Sequence, residues 1–296
     1  MNQQNKIKIL LFGSTGFIGK KVSSLIETDF PQIEIINSQS RLENTQDVAK
    51  ELDLIQPDRV INAAGITGIP NVDWCESHKQ ETLRVNLVGS LALIDSCWKR
   101  NIHIIQFGTG CIYQYDENHK ENSGNKFTEK DPPNFFGSYY SKTKGIFQDL
   151  LDIFDNVLLL RIRMPITSHL EDSKNLISKL IKYSKVVNIP NSMSVLEDLL
   201  PVMVDMCIKK VVGVFNFTNP GSISHNEILT LYQKFIDPNF KWENFSIEEQ
   251  NKILKAERSN NELDSSKLLE IYPDIPHIKD SMIKVFERIK KSIKNQ

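Results

Sequence analysis

Tyr140 and Lys144 stand four residues apart in the stretch Tyr139-Tyr140-Ser141-Lys142-Thr143-Lys144. That spacing puts both side chains on one face of a helix. An ammonium beside a phenol draws the phenol's pKa down from about 10, so the pair can hand a proton to a carbonyl oxygen while a hydride reaches its carbon. Thr109, at the end of a β-branched run, offers a second hydrogen bond to that oxygen, an oxyanion role. Two residues on, Cys111 carries a thiol whose ordinary pKa of about 8.5 suits proton transfer near neutrality. The plain alternative for Cys111 is a buried structural thiol, since Cys is among the most buried residue types. Tyr139 is a decoy, because its i,i+4 neighbour is the uncharged Thr143.

The source of a hydride is legible near the start of the chain. Gly13-Ser14-Thr15-Gly16-Phe17-Ile18-Gly19 follows the aliphatic run Lys6–Phe12 and opens a helical stretch. Its G-x-x-G-x-x-G spacing is one residue longer than the dinucleotide fingerprint, but the physical needs match. Gly13 permits a tight turn, Gly16 lets backbone approach a pyrophosphate, and Gly19 lets the helix pack closely. The helix N-terminus adds N–H groups and a positive dipole end. A strand before and a helix after lift the loop above a bare motif; the alternative is a glycine-rich turn without ligand. The second strand ends Ile36-Asn37-Ser38-Gln39-Ser40-Arg41, with no carboxylate for an adenosine ribose. Ser38 and Arg41 suit a 2′-phosphate, so NADPH is expected over NADH, with Arg41 as a surface cation the alternative. Asn62-Ala63-Ala64-Gly65 closes the third strand with small residues against which a dinucleotide can lie. Thr67 and Asn86 are assigned to the substrate side. Asn86 can equally be a packing amide or one that organises backbone at the site.

These groups need a scaffold that alternates strand and helix. Strand-like runs at Lys6–Phe12, Ile33–Asn37, Asp58–Asn62, Ile102–Gly108 and Asn156–Met164 are separated by helical stretches at Phe17–Phe30, Thr45–Leu54, His78–Arg100 and Tyr139–Phe154. Such alternation predicts an α/β fold, a Rossmann-type doubly wound parallel sheet with ligand at the carboxyl ends of its strands. Beyond Pro165 the pattern loosens: helices at Ser173–Tyr183 and Val195–Lys209, a returning strand at Gly213–Thr218, and a helix at Ser224–Ile236 opened by the capping box Ser224/Glu227. The expected organisation is a Rossmann domain over 1–165, rejoined near 213–218, and a smaller substrate-binding lobe over 166–296. At 40% hydrophobic residues and a net charge of -1, the chain can bury a core and shows no bias toward nucleic acid or a membrane surface as partner. The four cysteines have no metal-ligand spacing, and the start, Met1–Asn5, is not a signal peptide, so no metal and a cytoplasmic setting are expected. The Lys-rich Arg288–Gln296 reads as a solvated helix end.

Together the glycine loop, the Asn-Ala-Ala-Gly turn, Thr109 and the Tyr140/Lys144 pair resemble the extended short-chain dehydrogenase/reductase family over nearly the whole chain. The order Thr109, Cys111, Tyr140, Lys144 is similar to that of GDP-fucose synthase, an epimerase–reductase of the family. Asn71–Lys79 (NVDWCESHK), Thr109–Asp116, Pro133–Lys144, Arg161–Ile166 (RIRMPI), Ile189–Met193 (IPNSM) and Phe217–Leu229 resemble the plant nucleotide-rhamnose synthase epimerase/reductases. The abundance of Ile, Asn and Lys fits an AT-rich genome and points to the giant-virus version. The resemblance implies a bifunctional 3,5-epimerase/4-keto-reductase acting on UDP-4-keto-6-deoxyglucose, with simple 4-keto reduction or a non-catalytic NADPH-binding regulatory subunit as alternatives. It implies Lys179 as the second epimerase group, with His169 in reserve, and a solvated helix Lys as the plain reading of Lys179. It also implies Arg258 and Asn260 as contacts to the nucleotide end of the substrate. One departure is that no Arg precedes the Val195–Asp198 stretch, where many members carry one. Apolar faces on His78–Arg100 and Tyr139–Phe154, which family members pair as a four-helix interface, imply a homodimer.

Overall fold

The computed structural model describes residues 6–294; Met1–Asn5 and the last two residues of the Lys-rich end lie outside the described residues. Strands β1 (Ile7–Phe12), β2 (Ile33–Asn37), β3 (Arg59–Asn62), β4 (His103–Thr109), β5 (Val157–Ile162) and β7 (Gly213–Asn216) form one sheet in the order β2-β1-β3-β4-β5-β7. β1 pairs in parallel with β2 and β3, and β3 with β4. The chain leaves β1 for the β2 side and returns to β3 on the other, so the strand order reverses between β1 and β3, where doubly wound sheets bind ligands. Register brings Phe12 beside Asn62 and Asn62 beside Gln106. The glycine loop, the Asn62–Gly65 turn and Thr109 therefore share one edge of the sheet.

Two compact units are built from interleaved segments, and the strand near 213–218 does return to the main sheet. The first takes 1–112, 136–160 and 200–214; the second takes 113–135, 161–199 and 215–296. Helices α1 (Phe17–Asp29), α2 (Thr45–Ile55), α5 (Ser90–Trp98) and α6 (Tyr139–Asp149) belong to the first unit. Its core includes Leu10, Phe12, Val48, Leu52, Val60, Leu93, Ile104, Phe147 and Leu159. The inner strands β1, β3, β4 and β5 are buried on both faces over most of their length, as a parallel sheet requires, whereas the edge strand β2 is partly exposed.

The expected long helix His78–Arg100 is divided. Cys75 lies buried in a short helix, α3 (Asp73–Ser77). It is followed by α4 (Lys79–Leu83), a π-helical turn over Arg84–Gly89, and α5. Gly89 accounts for the wide turn: a Cβ there would sit 2.8 Å from Leu42 Cβ, and Ser90 Oγ donates to the Val85 carbonyl five residues back at 2.9 Å. Such turns concentrate at functional positions, and this one carries Asn86.

In the second unit the expected helix Ser173–Tyr183 contracts to α7 (Leu176–Leu180), because the Asn175 side chain caps Ile177 N–H and also donates to the Thr167 and His169 carbonyls. The short strand β6 (Lys185–Val186) pairs with β8 (Glu243–Asn244). The helix α8 (Leu196–Ile208) runs across the change of unit, and α9 (His225–Phe235) carries the expected Ser224/Glu227 capping box. Beyond it lie α10 (Ile247–Ile253), α11 (Ser266–Leu269) and α12 (Ile278–Lys294). The last buries Ile278, Met282, Val285, Phe286 and Ile289 against α9 and its neighbours, and its end from Arg288 to Lys294 is solvated except at Ile289.

Candidate active site

Gly13 has φ +76, and a Cβ on it would lie 2.4 Å from the Ala64 nitrogen, so the glycine loop is pressed onto the Asn62–Gly65 turn. A Cβ on Gly19 would lie 2.1 Å from the Gly13 carbonyl oxygen, so this residue lets α1 pack on the loop itself. Gly16 N–H donates to the same oxygen at 3.0 Å. Ser14 is half-buried, Thr15 and Gly16 are exposed, and Phe17 and Ile18 begin α1 half-buried. Among the described residues no side chain caps α1, and its first turn holds no acid. Open N–H groups and an unopposed positive dipole end fit a dinucleotide's phosphates.

The turn after β3 is held from both sides. Asn62, fully buried, accepts from Ala64 N–H at 3.0 Å and donates to Gln106 at 2.7 Å. Asn86 accepts from Ile66 N–H and donates to the Ile66 carbonyl, both at 2.8 Å. The side-chain amides of both residues are thus committed to the scaffold, and Asn86 organises backbone at the site, the alternative its position had offered. Ala63 and Ala64 are half-buried, and Gly65 and Thr67 are exposed on the same loop.

Thr109 and Tyr140 are hydrogen-bonded through their side chains, and the Cys111 and Cys75 thiols lie within electrostatic range of the phenol. Cys111 N–H donates to Thr109 Oγ1 at 3.0 Å, and Gln148 holds the Thr109 carbonyl at 3.1 Å. α6 is fixed at its start by Ser138, which accepts from Ser141 N–H, and by the Glu76 carboxylate, which accepts from Tyr139 N–H at 2.6 Å. Tyr139 stays outside the group: Thr143 Oγ1 turns back onto the Tyr139 and Tyr140 carbonyls, and the Tyr139 ring lies under Lys79.

Burial, then the nearby Cys111, pushes the Tyr140 phenol above its ordinary pKa, against the pull of the Thr109 hydrogen bond. Its ring is half-buried, but its hydroxyl end is enclosed. Burial alone pushes Lys144 down from 10.5 to about 8. The expectation that Lys144 draws Tyr140 toward neutrality is therefore corrected. The ammonium is itself destabilised, and it lies against the Phe147 ring and near Gly65, where an added Cβ would be 3.9 Å from Nζ. The pair holds a phenol that keeps its proton at neutral pH and an amine close to titrating.

Ser38 also departs from expectation. Its hydroxyl donates to Glu51 of α2 at 2.6 Å, so a carboxylate does reach the end of β2, from the next helix. Arg41 is exposed.

In the second unit, half-buried Lys179 on α7 is pushed below its ordinary pKa by burial and then by the neighbouring charges of Lys174 and Arg258. His169 is exposed and paired with Glu171 at 3.1 Å. Arg258 donates to the Ala256 carbonyl at 2.6 Å. Asn260 is buried, accepting from Asn191 and held by Gln114. It ties two segments of the unit together. The same network holds Arg163, donating to Asn191 and to Ser259, so two of the motif stretches, Arg161–Ile166 and Ile189–Met193, meet at one buried guanidinium.

The chain matches the family described as RmlD substrate binding domain over residues 7–272. It belongs to that family. It is 50% identical over 97% of its length to an Arabidopsis thaliana trifunctional UDP-glucose 4,6-dehydratase/UDP-4-keto-6-deoxy-D-glucose 3,5-epimerase/UDP-4-keto-L-rhamnose-reductase, of which it spans 43%. It is 47% identical to the bifunctional dTDP-4-dehydrorhamnose 3,5-epimerase/dTDP-4-dehydrorhamnose reductase of the same plant, over 98% of this chain and 96% of that protein. The crystal structure of a UDP-rhamnose synthase from Acanthamoeba polyphaga mimivirus superposes with a TM-score of 0.91 at 44% identity, covering 96% of this chain and 99% of that one.

Sequence reasoning missed Glu51 and Glu76. Glu51 had a signal, lying i+3 from Val48 beside Leu52 on the buried face of α2. Glu76 had none beyond lying in the motif stretch Asn71–Lys79.

Proposed function

We propose that this chain is a bifunctional 3,5-epimerase/4-keto-reductase that converts UDP-4-keto-6-deoxy-D-glucose to UDP-L-rhamnose with NADPH. The observation that carries the reading is the meeting of the Tyr140 hydroxyl, the Thr109 hydroxyl and the Cys111 thiol at one sheet edge. A plain reductase has no use for the thiol.

A ketone at C4 acidifies the hydrogens on C3 and C5. Inverting each centre takes one group to remove a proton and another to return one from the opposite face. Cys111 is assigned one of these transfers and Lys179 the other, the latter made fit for it by burial and two cationic neighbours. Thr109 and Tyr140 hold the enolate oxygen formed in each inversion. NADPH, when bound by the glycine loop and the N-terminus of α1, supplies the hydride to C4. Tyr140, which keeps its proton at neutral pH, then delivers it to the C4 oxygen. Lys144, drawn down to about 8, can restore that proton. Arg258 is assigned to the diphosphate, and Arg41 to the 2′-phosphate. UDP, not dTDP, follows the mimivirus relative.

We assign a homodimer to the helices of the first unit, which expose Val88, Trp98, Ile146, Leu150 and, at 80%, Ile153, and a cytoplasmic setting in keeping with four free cysteines. Incubation with UDP-4-keto-6-deoxyglucose and NADPH in D2O tests the enzyme reading by product NMR. UDP-L-rhamnose deuterated at C3 and C5 is expected. A 6-deoxyhexose with neither deuterium would reduce the activity to simple ketone reduction, and no NADPH oxidation would refute the enzyme altogether.

A further inference from the structure

The loop between β2 and α2 is closed on an internal anion. Glu51 accepts from Ser38 Oγ at 2.6 Å, from Gln39 N–H at 2.9 Å and from Ser40 N–H at 3.3 Å. Ser38 in turn accepts from Ser40 N–H at 3.2 Å. One hydroxyl and two backbone N–H groups, a donor set suited to a phosphate, are thus already spent on a carboxylate. Although burial opposes ionisation, the bonds from Ser38, Gln39 and Ser40 hold the Glu51 carboxyl below its ordinary pKa, so the charge is present at neutral pH. We infer that Glu51 is a specificity-determining residue, filling the anion seat of the β2–α2 loop and so restraining the preference for NADPH over NADH.

This rests on the cofactor reading above. A 2′-phosphate reaching this loop meets a negative charge in place of free donors, whereas the 2′-hydroxyl of NADH is neutral and pays no such repulsion. Arg41, exposed on the same loop, pulls the other way. The two charges leave a modest selectivity, with both dinucleotides accepted. Glu51 is only partly buried, so solvent screening keeps its effect to about three- to tenfold in relative affinity.

Calorimetric titration of NADP+ and NAD+ into wild type, Glu51→Gln and Glu51→Thr tests this without turnover, with 2′,5′-ADP and AMP as fragment probes. Removal of the charge should tighten NADP+ and 2′,5′-ADP about three- to tenfold relative to NAD+ and AMP, in whichever variant melts near the wild-type temperature. An unchanged ratio would overturn the proposal. So would a fall in the ratio, which would make the carboxylate a scaffold for the phosphate seat. Wild type that binds neither dinucleotide would overturn the cofactor reading and this inference with it, whereas wild type that binds both while the ratio stays fixed overturns Glu51 alone.

Discussion

Replacing Lys144 with Met should stabilise the folded chain while ending reduction. The side chain is 4% exposed, and burial lowers its pKa from 10.5 to about 8. At about 1.4 kcal/mol per tenfold change, the ammonium costs the fold about 3 kcal/mol at neutral pH. The sign follows from proton counting. Between about 8 and 10.5 the unfolded chain binds more protons at this site than the folded one, so its contribution to stability rises with pH across that window. Below about 8 both states are protonated and the penalty is whole; above 10.5 both are neutral and it is gone. Lys144→Met keeps the unbranched stem and removes the charge. It should gain about 2–3 kcal/mol at pH 7, with the gain shrinking from pH 8 upward and vanishing near 10.5. Denaturant unfolding of both proteins without nucleotide, in steps from pH 7 to 10.5, measures the difference, and ionisations common to both cancel. A Met variant less stable than wild type at pH 7, or a difference independent of pH, would refute the reasoning.

Four further outcomes follow from the site. Tyr140→Phe should lower C4 reduction by about 10²–10⁴-fold, while Tyr139→Phe stays within about threefold of wild type, as NADPH oxidation at saturating substrate will show. Cys111→Ser should lose deuterium uptake from D2O at one or both of C3 and C5 yet still reduce an already epimerised 4-keto sugar; equal loss of both activities would make Cys111 structural. Lys174→Gln removes a cation that depresses Lys179, so the limb of the exchange pH profile that reports Lys179 as a base should move to higher pH, and a profile that does not move would take Lys179 out of the exchange. Gly13→Ala should cost about 2–4 kcal/mol through the left-handed backbone and the clash with Ala64, visible as a lower melting temperature together with weakened NADP+ binding.

The sheet and the reactive face of α6 were legible because both rest on local pattern. β-branched runs, glycine spacing and an i,i+4 pair are properties of short windows. The interleaving of the units was not. Tyr113–Phe135 lies between β4 and α6 in sequence and belongs to the second unit, and no local signal marks that exchange. The break in the helix at Arg84–Gly89 follows from contact with Leu42 more than 40 residues earlier, beyond what periodicity can report. Glu51 was not legible because the dinucleotide pattern places a ribose-binding carboxylate at the strand end, whereas this fold delivers one from the following helix.

The buried amides around the site share a chemical logic. Asn62, Asn86 and Asn260 sit in or beside the turns and motif stretches that marked the site, and each is buried with its amide committed to neighbouring polar groups. An amide carries donors and an acceptor, so it can close two backbone or side-chain valences at once, and burial makes leaving either open costly. Residue type at a motif position therefore identifies a polar need without saying whether ligand or scaffold meets it. Lys144 and Tyr140 differ because burial leaves each with an ionisation that its surroundings oppose, the one pushed down and the other up. Opposed ionisations of that kind stabilise nothing in the fold, which is why we propose these two residues, and not the more numerous amides around them, as the reductive centre.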